Sequence, residues 1–267
     1  MKKEEAIRII TSCAKLYHDQ LENRNLLFIF GNTSQADGFE AAFLPQNFLH
    51  MTGVEVQQAT FTGSSDFYEK CLKGQLRFLD FQFATNGTTE MKLMVLPQLM
   101  QIQKSAKMVG NFNFSKSLLI TEKLAGNVTA CMGFVRDDNF YIPNTALKED
   151  IRNVTRHPQQ RILAVYKKAI SERLYNRLCY VGKGVDYDSI LIPKNISAKI
   201  DTDNLEIDFE KKMSKSLQQE KISIGTFVDS LSESNLEKEH TPFNDLLVEL
   251  LSTESSPKRP KSHEPER

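Results

Sequence analysis

The sequence predicts an α+β protein: N-terminal helices packed on an antiparallel β-sheet, followed by a charged, partly helical C-terminal extension. Three observations predict it. Ile7, Ile10, Cys13, Ala14, Tyr17 and Leu21 recur at three- and four-residue intervals, the spacing of one apolar helix stripe. From Met108 onward that spacing gives way to short β-branched and aromatic runs separated by turn residues. Beyond Pro193 the chain becomes rich in Lys, Glu, Asp and Ser with few apolar residues.

The elements follow in order. After the first helix, "NLLFIFGN" is a short buried strand closed by a Gly-Asn turn, and "GFEAAFLP" is a second strand ended by Pro45. "GSSDFYEKCLKGQL" has Ser65 or Asp66 as N-cap and Gly74 as stop, which marks a short helix. "NGTTEMKLMVLPQLMQIQKSAK" is a longer helix that Pro97 kinks or divides, because the proline ring removes a hydrogen bond and crowds the preceding turn. "KMVGNF", "KSLLITEKL", "NVTACMGFV" and "NFYIPN" then form a strand meander with "AGN" and "RDDN" as turns. After the link "NVTRHPQQ", the stretch "RILAVYKKAISERLYNRL" fits a strand or a helix, with the helix favoured in its second half, and "RLCYVGKGV" and "YDSILIP" come last.

This organisation divides the chain into a domain over residues 1–193 and an extension over 194–267. In the extension Phe243, Leu246, Leu247, Leu250 and Leu251 share one face of a helix capped by Thr241 with Pro242 in its first turn. That face would dock on the core or bind a protein partner; the final "SSPKRPKSHEPER" is expected to be disordered.

Composition removes several function classes. No span reaches the roughly 18 apolar residues a membrane helix requires. "MKKEEAIRII" mixes acids with its lysines and does not read as a secretion signal, so a cytoplasmic location is expected. Cys13, Cys71, Cys131 and Cys179 form no CxxC pair and have no histidine at a ligand interval; buried free thiols and no metal or other cofactor are expected. The chain lacks GxxxxGK[ST], GxGxxG and HExxH, against nucleotide hydrolysis, dinucleotide redox chemistry and zinc proteolysis. Net formal charge is zero, yet residues 92–183 hold 15 Lys and Arg against 6 Asp and Glu, a surplus that attracts polyanions.

"FLPQNFLHMTGV", "SDFYEKCLKGQL", "GTTEMKLMVLPQL", "MVGNF" and "MGFVRDDNFYIPNTAL" together resemble the fourth subfamily of the Phage-Barnase-EndoU-Colicin-RelE-like nucleases, over about residues 5–190. The Asn-Phe-Leu-His-x-Thr-Gly segment is the most distinctive piece. The resemblance implies an endoribonuclease-like domain of a phage or integrative mobile element, with N-terminal helices on a four-stranded antiparallel sheet and RNA as the nucleic-acid partner.

Metal-independent RNA cleavage needs a base for the ribose 2′-hydroxyl, a cation for the crowded phosphorane and an acid for the leaving oxygen. His50 suits either proton-transfer role, because an imidazole titrates near neutral pH; equally, it is a structural histidine fixing a strand-to-helix junction. Thr52, beside the flexible Gly53, would approach a phosphate. Lys116 and Lys123 are cation candidates, but seven residues apart they point to opposite faces of one strand unless a bulge intervenes, so one of them is expected to face solvent. Lys92, Arg136 and Arg161 are further cations. Asn144 and Thr145 either hold a phosphate oxygen or form a turn and helix cap. Lys167, after Tyr166, would add a phosphate contact; Tyr141 and Tyr166 are the only evident stacking platforms. The expected function is general acid/base RNA cleavage. Its alternative is a non-catalytic nucleic-acid-binding or protein-interaction module, and the discriminating feature is whether His50 shares an open cleft with Lys92, Lys116, Lys123 or Arg136.

Overall fold

In the computed structural model the residues described are 1–57, 60–115 and 120–208. Lys116 and the helix proposed over residues 242–252 lie outside them. In chain order the elements are α1 (Lys3–Gln20), β1 (Arg24–Asn32), β2 (Gln35–Phe43), α2 (Phe48–Thr52), β3 (Val54–Val56), α3 (Ser64–Leu72), β4 (Phe81–Phe83), α4 (Thr88–Leu99) and α5 (Ile102–Ser105). They continue with β5 (Met108–Asn111), β6 (Lys123–Gly126), β7 (Cys131–Asp137), β8 (Phe140–Leu147), α6 (Ile151–Val154), β9 (Gln160–Ala169), β10 (Arg177–Val181), α7 (Lys194–Ser197) and β11 (Glu206–Ile207). The fold is α+β, with a helical layer against one large sheet and a separate β3–β4 pair. Among the described residues no helix is long and apolar enough to cross a membrane.

The strand pairings return to their starting point. They run β1-β2-β8-β7-β6-β5-β9, and β9 pairs back with β1, while β10 and β11 branch from β9. Strands that alternate in direction cannot close a ring with an odd number of members, so one pair of the seven must run parallel. That pair is β2 with β8, joined at a single register position, Ala41 to Tyr141. The antiparallel sheet expected from the meander is therefore mixed.

β1 explains its own sequence. Leu26, Phe28 and Phe30 face the main core, whereas Leu27 and Ile29 face a second one beneath the segment containing Ile190, Ile196 and Ile200. A strand buried on both faces reads as an unbroken apolar run rather than an alternation. In β9, Leu163 and Ala164 are neighbours in sequence yet both belong to the second core. The register against β1 shifts there, Ile29 pairing with Ala164 and Phe30 with Ile162, as a bulge requires.

Several expectations change. The second half of "RILAVYKKAISERLYNRL" is not helical: β9 runs through Ala169, a turn follows, and β10 pairs back on β9. The pairing of β9 with β1 along Leu26 to Lys167 and Leu27 to Tyr166 overrides the local helix preference. "YDSILIP" forms a 3-10 turn at Tyr187–Ser189 instead of a strand. "PNT" is neither turn nor cap, because Pro143, Asn144 and Thr145 lie inside β8. Pro97 stays within α4, which ends two residues later before α5 begins. The cysteines, by contrast, are as expected: all four are free and buried, and burial pushes Cys13, Cys71 and Cys131 up to about 12 and Cys179 to about 11, so they are inert thiols. Past Pro193, Ile196 and Ile200 are buried in the second core.

Phe28 is fully buried and stacks on Phe39 at 4.9 Å between ring centroids, with Phe134 edge-on at 6.4 Å. Truncating it empties the middle of the closed circuit. Phe28→Ala is expected to cost about 3–5 kcal/mol in urea denaturation at unchanged m-value.

Candidate nucleic-acid interface

Side chains alternate along a strand, so the residues facing the main core fix which others share their side. Main-core residues are Phe39 and Ala41 on β2, Val109 on β5, Ala125 on β6, Phe134 on β7, Ala146 on β8 and Ile162 on β9. Two positions beyond Phe39, Val109, Ala125, Phe134 and Ile162, at the end of the circuit nearest the β1–β2 turn, stand Asp37, Asn111, Lys123, Arg136 and Gln160. Tyr141 of β8 lies opposite Arg136, because the β7–β8 register shifts past Gly133 and restores the inward side at Pro143 and Tyr141. Phe30 of β1 completes the ring as its floor. One rim of the circuit thus receives one inward side chain from each of seven strands.

Lys123 occupies the centre of this rim. Its amine lies 5.7 Å from the Tyr141 ring centroid and 5.9 Å from those of Phe30 and Phe39, and donates to Asn111 Oδ1 at 3.2 Å. Burial lowers its pKa below that of an ordinary lysine, against the opposite pull of Asp37 and Glu122. Burial, reinforced by Glu122, raises the Tyr141 hydroxyl, and neighbouring Arg136 opposes the shift. Arg136 is exposed, and its Nε donates to the Asp138 carbonyl at 3.3 Å across the β7–β8 turn.

A cleft of about 270 Å³ opens beside these groups, lined by Asp37, Phe39, Glu40, Lys123, Arg136 and Tyr141 among others. It exists because β2 extends past its one pairing with β8, leaving the edge of residues 37–40 uncovered. Groups from the outer face therefore reach it as well. Glu40 accepts from the Tyr175 hydroxyl at 2.9 Å and pairs with Lys199, so that carboxylate is already held.

The other sequence candidates lie elsewhere. His50 is an exposed residue of α2 and does not line this cleft; β2 carries the chain away from the rim before α2 begins. The distinctive segment around it is explained by the junction. Leu44 O accepts from the Tyr17 hydroxyl at 2.8 Å, and buried Asn47 accepts from Leu44 N at 2.9 Å. Thr52 is buried, with its hydroxyl on Leu49 O at 2.8 Å, so it offers nothing to a phosphate. Gly53 ends the helix at φ +68°, where a Cβ would lie 2.6 Å from Lys92 Cδ. The Lys92 amine donates to His50 O at 2.9 Å, a cation at a helix C-terminus, and burial lowers its pKa.

Lys92 and Thr145 line a second cleft, of about 410 Å³, between α4 and β8. Thr145 faces outward from the circuit, opposite Gly133, and its buried hydroxyl has no partner among the described residues. Asn144 donates to Ile120 O. Lys167 is 5% exposed and pairs with Asp208 at 3.6 Å, which removes it from solvent. The structure thus brings together Lys123 and Arg136, and separately Lys92 and Thr145. Sequence reading missed Asp37, Asn111 and Gln160; each is a polar residue on the otherwise apolar side of its strand, a signal that becomes visible only once the register is known. Among the described residues no three His, Cys, Asp or Glu side chains gather as a metal-ligand group.

No curated protein and no solved structure matches the chain. The sequence profile of the phage-Barnase-EndoU-ColicinE5/D-RelE like nuclease4 family matches residues 9–184, a stretch that runs from α1 to just past β10 and contains every strand of the closed circuit. The chain therefore belongs to this nuclease-like family.

Proposed function

We propose that the protein is an endoribonuclease that cleaves RNA by general acid–base chemistry, without a metal ion, at the open rim of the strand circuit. The observation carrying this reading is the convergence of Lys123, Arg136, Tyr141 and Asp37 on one cleft. Membership of a nuclease-like family makes nucleic acid the substrate class, and the phage association of that family supports a role within a phage or integrative element, acting in the host cytoplasm.

The rim residues fit the demands of the reaction. Arg136 and Lys123 hold the non-bridging phosphate oxygens and offset the charge that builds on the phosphorane. The Asp37 carboxylate takes the proton from the ribose 2′-hydroxyl as that oxygen attacks phosphorus. Lys123, whose proton is released more readily than an ordinary lysine's, donates to the departing 5′-oxygen. The products are a 2′,3′-cyclic phosphate and a free 5′-hydroxyl. The ring of Tyr141 supplies a stacking face for a base. A second reading, a nucleic-acid-binding module without catalysis, is favoured by one observation: His50 does not line the cleft of Lys123 and Arg136.

Incubation of the purified chain with total RNA in EDTA separates the two. Wild type is expected to cleave, with Lys123→Ala and Arg136→Ala slowed about 10²- to 10³-fold and His50→Ala close to wild type. A binding module would show no cleavage by any of them and weaker RNA binding by Arg136→Ala. Loss of cleavage in His50→Ala alone would overturn the rim assignment.

The lysine also affects stability. A lysine whose pKa is lowered on folding opposes folding while the unfolded chain is protonated, and that cost disappears as pH rises through the folded value toward about 10.4. Lys123→Met is therefore expected to raise Tm at pH 7, with the gain shrinking as pH climbs toward 10, even though RNA cleavage is slowed as in Lys123→Ala. An unchanged Tm difference between pH 7 and pH 10 would contradict this.

A further inference from the structure

A second polar cleft, of about 550 Å³, meets the rim site at Asp37, which lines both. Its walls come from the β1–β2 turn, with Asn32 and Gln35, and from the start of β9, with Gln160 and Arg161. We infer that this cleft is a subsite for the nucleobase next to the cleaved phosphate, and that it selects adenine. The inference rests on the reading of the rim as an RNA-cleaving site and adds a sequence preference to it.

The argument is one of complementary chemistry. The rim cleft concentrates Lys123 and Arg136, which suit phosphate. The adjoining cleft presents carboxamides, which pair a donor with an acceptor and carry no charge. Bidentate contact from Asn or Gln matches the N6 donor and N7 acceptor of adenine. The carboxamides of Asn32, Gln35 and Gln160 make no hydrogen bond among the described residues, so all three are open to a ligand. The walls are held in place: at Gly31, φ +113°, a Cβ would come within 2.8 Å of Gln35 O, and Arg161 is tied through Nη2 to Lys183 O. The volume falls in the range of small-molecule sites and accommodates a base with its sugar. A strand crossing the rim with its phosphate at Lys123 and Arg136 has its neighbouring base beside Asp37, at the entrance of this cleft.

The test uses the full chain and a set of single-stranded RNA oligonucleotides that differ only at the nucleotides flanking one cleavable step. Wild type is expected to prefer adenine at one flanking position by about tenfold in kcat/KM. Gln35→Ala combined with Gln160→Ala, both at exposed positions, should bring the adenine substrate down to the rate of the others. Thermal melting of the variant controls for folding. Cleavage without any flanking preference, or a preference that survives the double substitution, overturns the subsite and leaves the proposed activity standing. If no oligonucleotide is cleaved, the activity fails, and the subsite is then judged by binding: fluorescence anisotropy on the same oligonucleotides either shows the adenine preference and its loss in the variant, or overturns it.

Discussion

The whole arrangement depends on a constraint of direction. Seven strands that close on themselves must include one parallel contact, and in this protein that contact is reduced to a single rung between Ala41 and Tyr141. Parallel strands diverge easily when only one rung joins them. On one side of the rung β2 stays paired with β1 but runs clear of β8, and its uncovered edge opens the cleft beside Lys123. On the other side β2 stays on β1 through Phe43 before the chain turns away, and α2 packs against β8, placing Phe48 and Met51 in the main core. The cleft and the packing of α2 on β8 are two outcomes of the same break.

Alternation does the rest. Each strand that contributes an apolar side chain to the core contributes a polar or aromatic one a step further out, where the circuit meets water. The result is a cationic centre over an aromatic floor, with Phe30, Phe39 and Tyr141 beneath the Lys123 amine. An amine in partial burial is a liability for folding, and ring faces together with Asn111 offset only part of its lost hydration. Such a group is retained where it serves a task that water-exposed lysines serve less well, as when a proton has to be released more readily than from an ordinary lysine.

How much of this was legible in the sequence differs by element. The doubly buried β1 could be read from "NLLFIF", and the β5–β8 meander from its turns, because both patterns are local. β9 and β10 were harder: "RILAVYKKAISERLYNRL" contains good helix formers, and only the pairing with β1 makes it two strands. The N-F-L-H-x-T-G segment was legible as distinctive, though its distinctiveness comes from a helix ending in which Asn47, Thr52 and Gly53 each have a structural task. Lys123 and Arg136 could be named from charge and strand position. Asp37, Asn111 and Gln160 could not be joined to them, because their common side is set by registers between strands far apart in sequence.

The rim has a further property. Its polar side chains, Asp37, Asn111, Arg136 and Gln160, stand at exposed positions past the last apolar layer, so they contribute little to the packing that holds the circuit closed. Substitution at one rim position changes the chemistry presented to a ligand while leaving the neighbouring strands and their registers as they were. A scaffold built in this way can be retuned strand by strand.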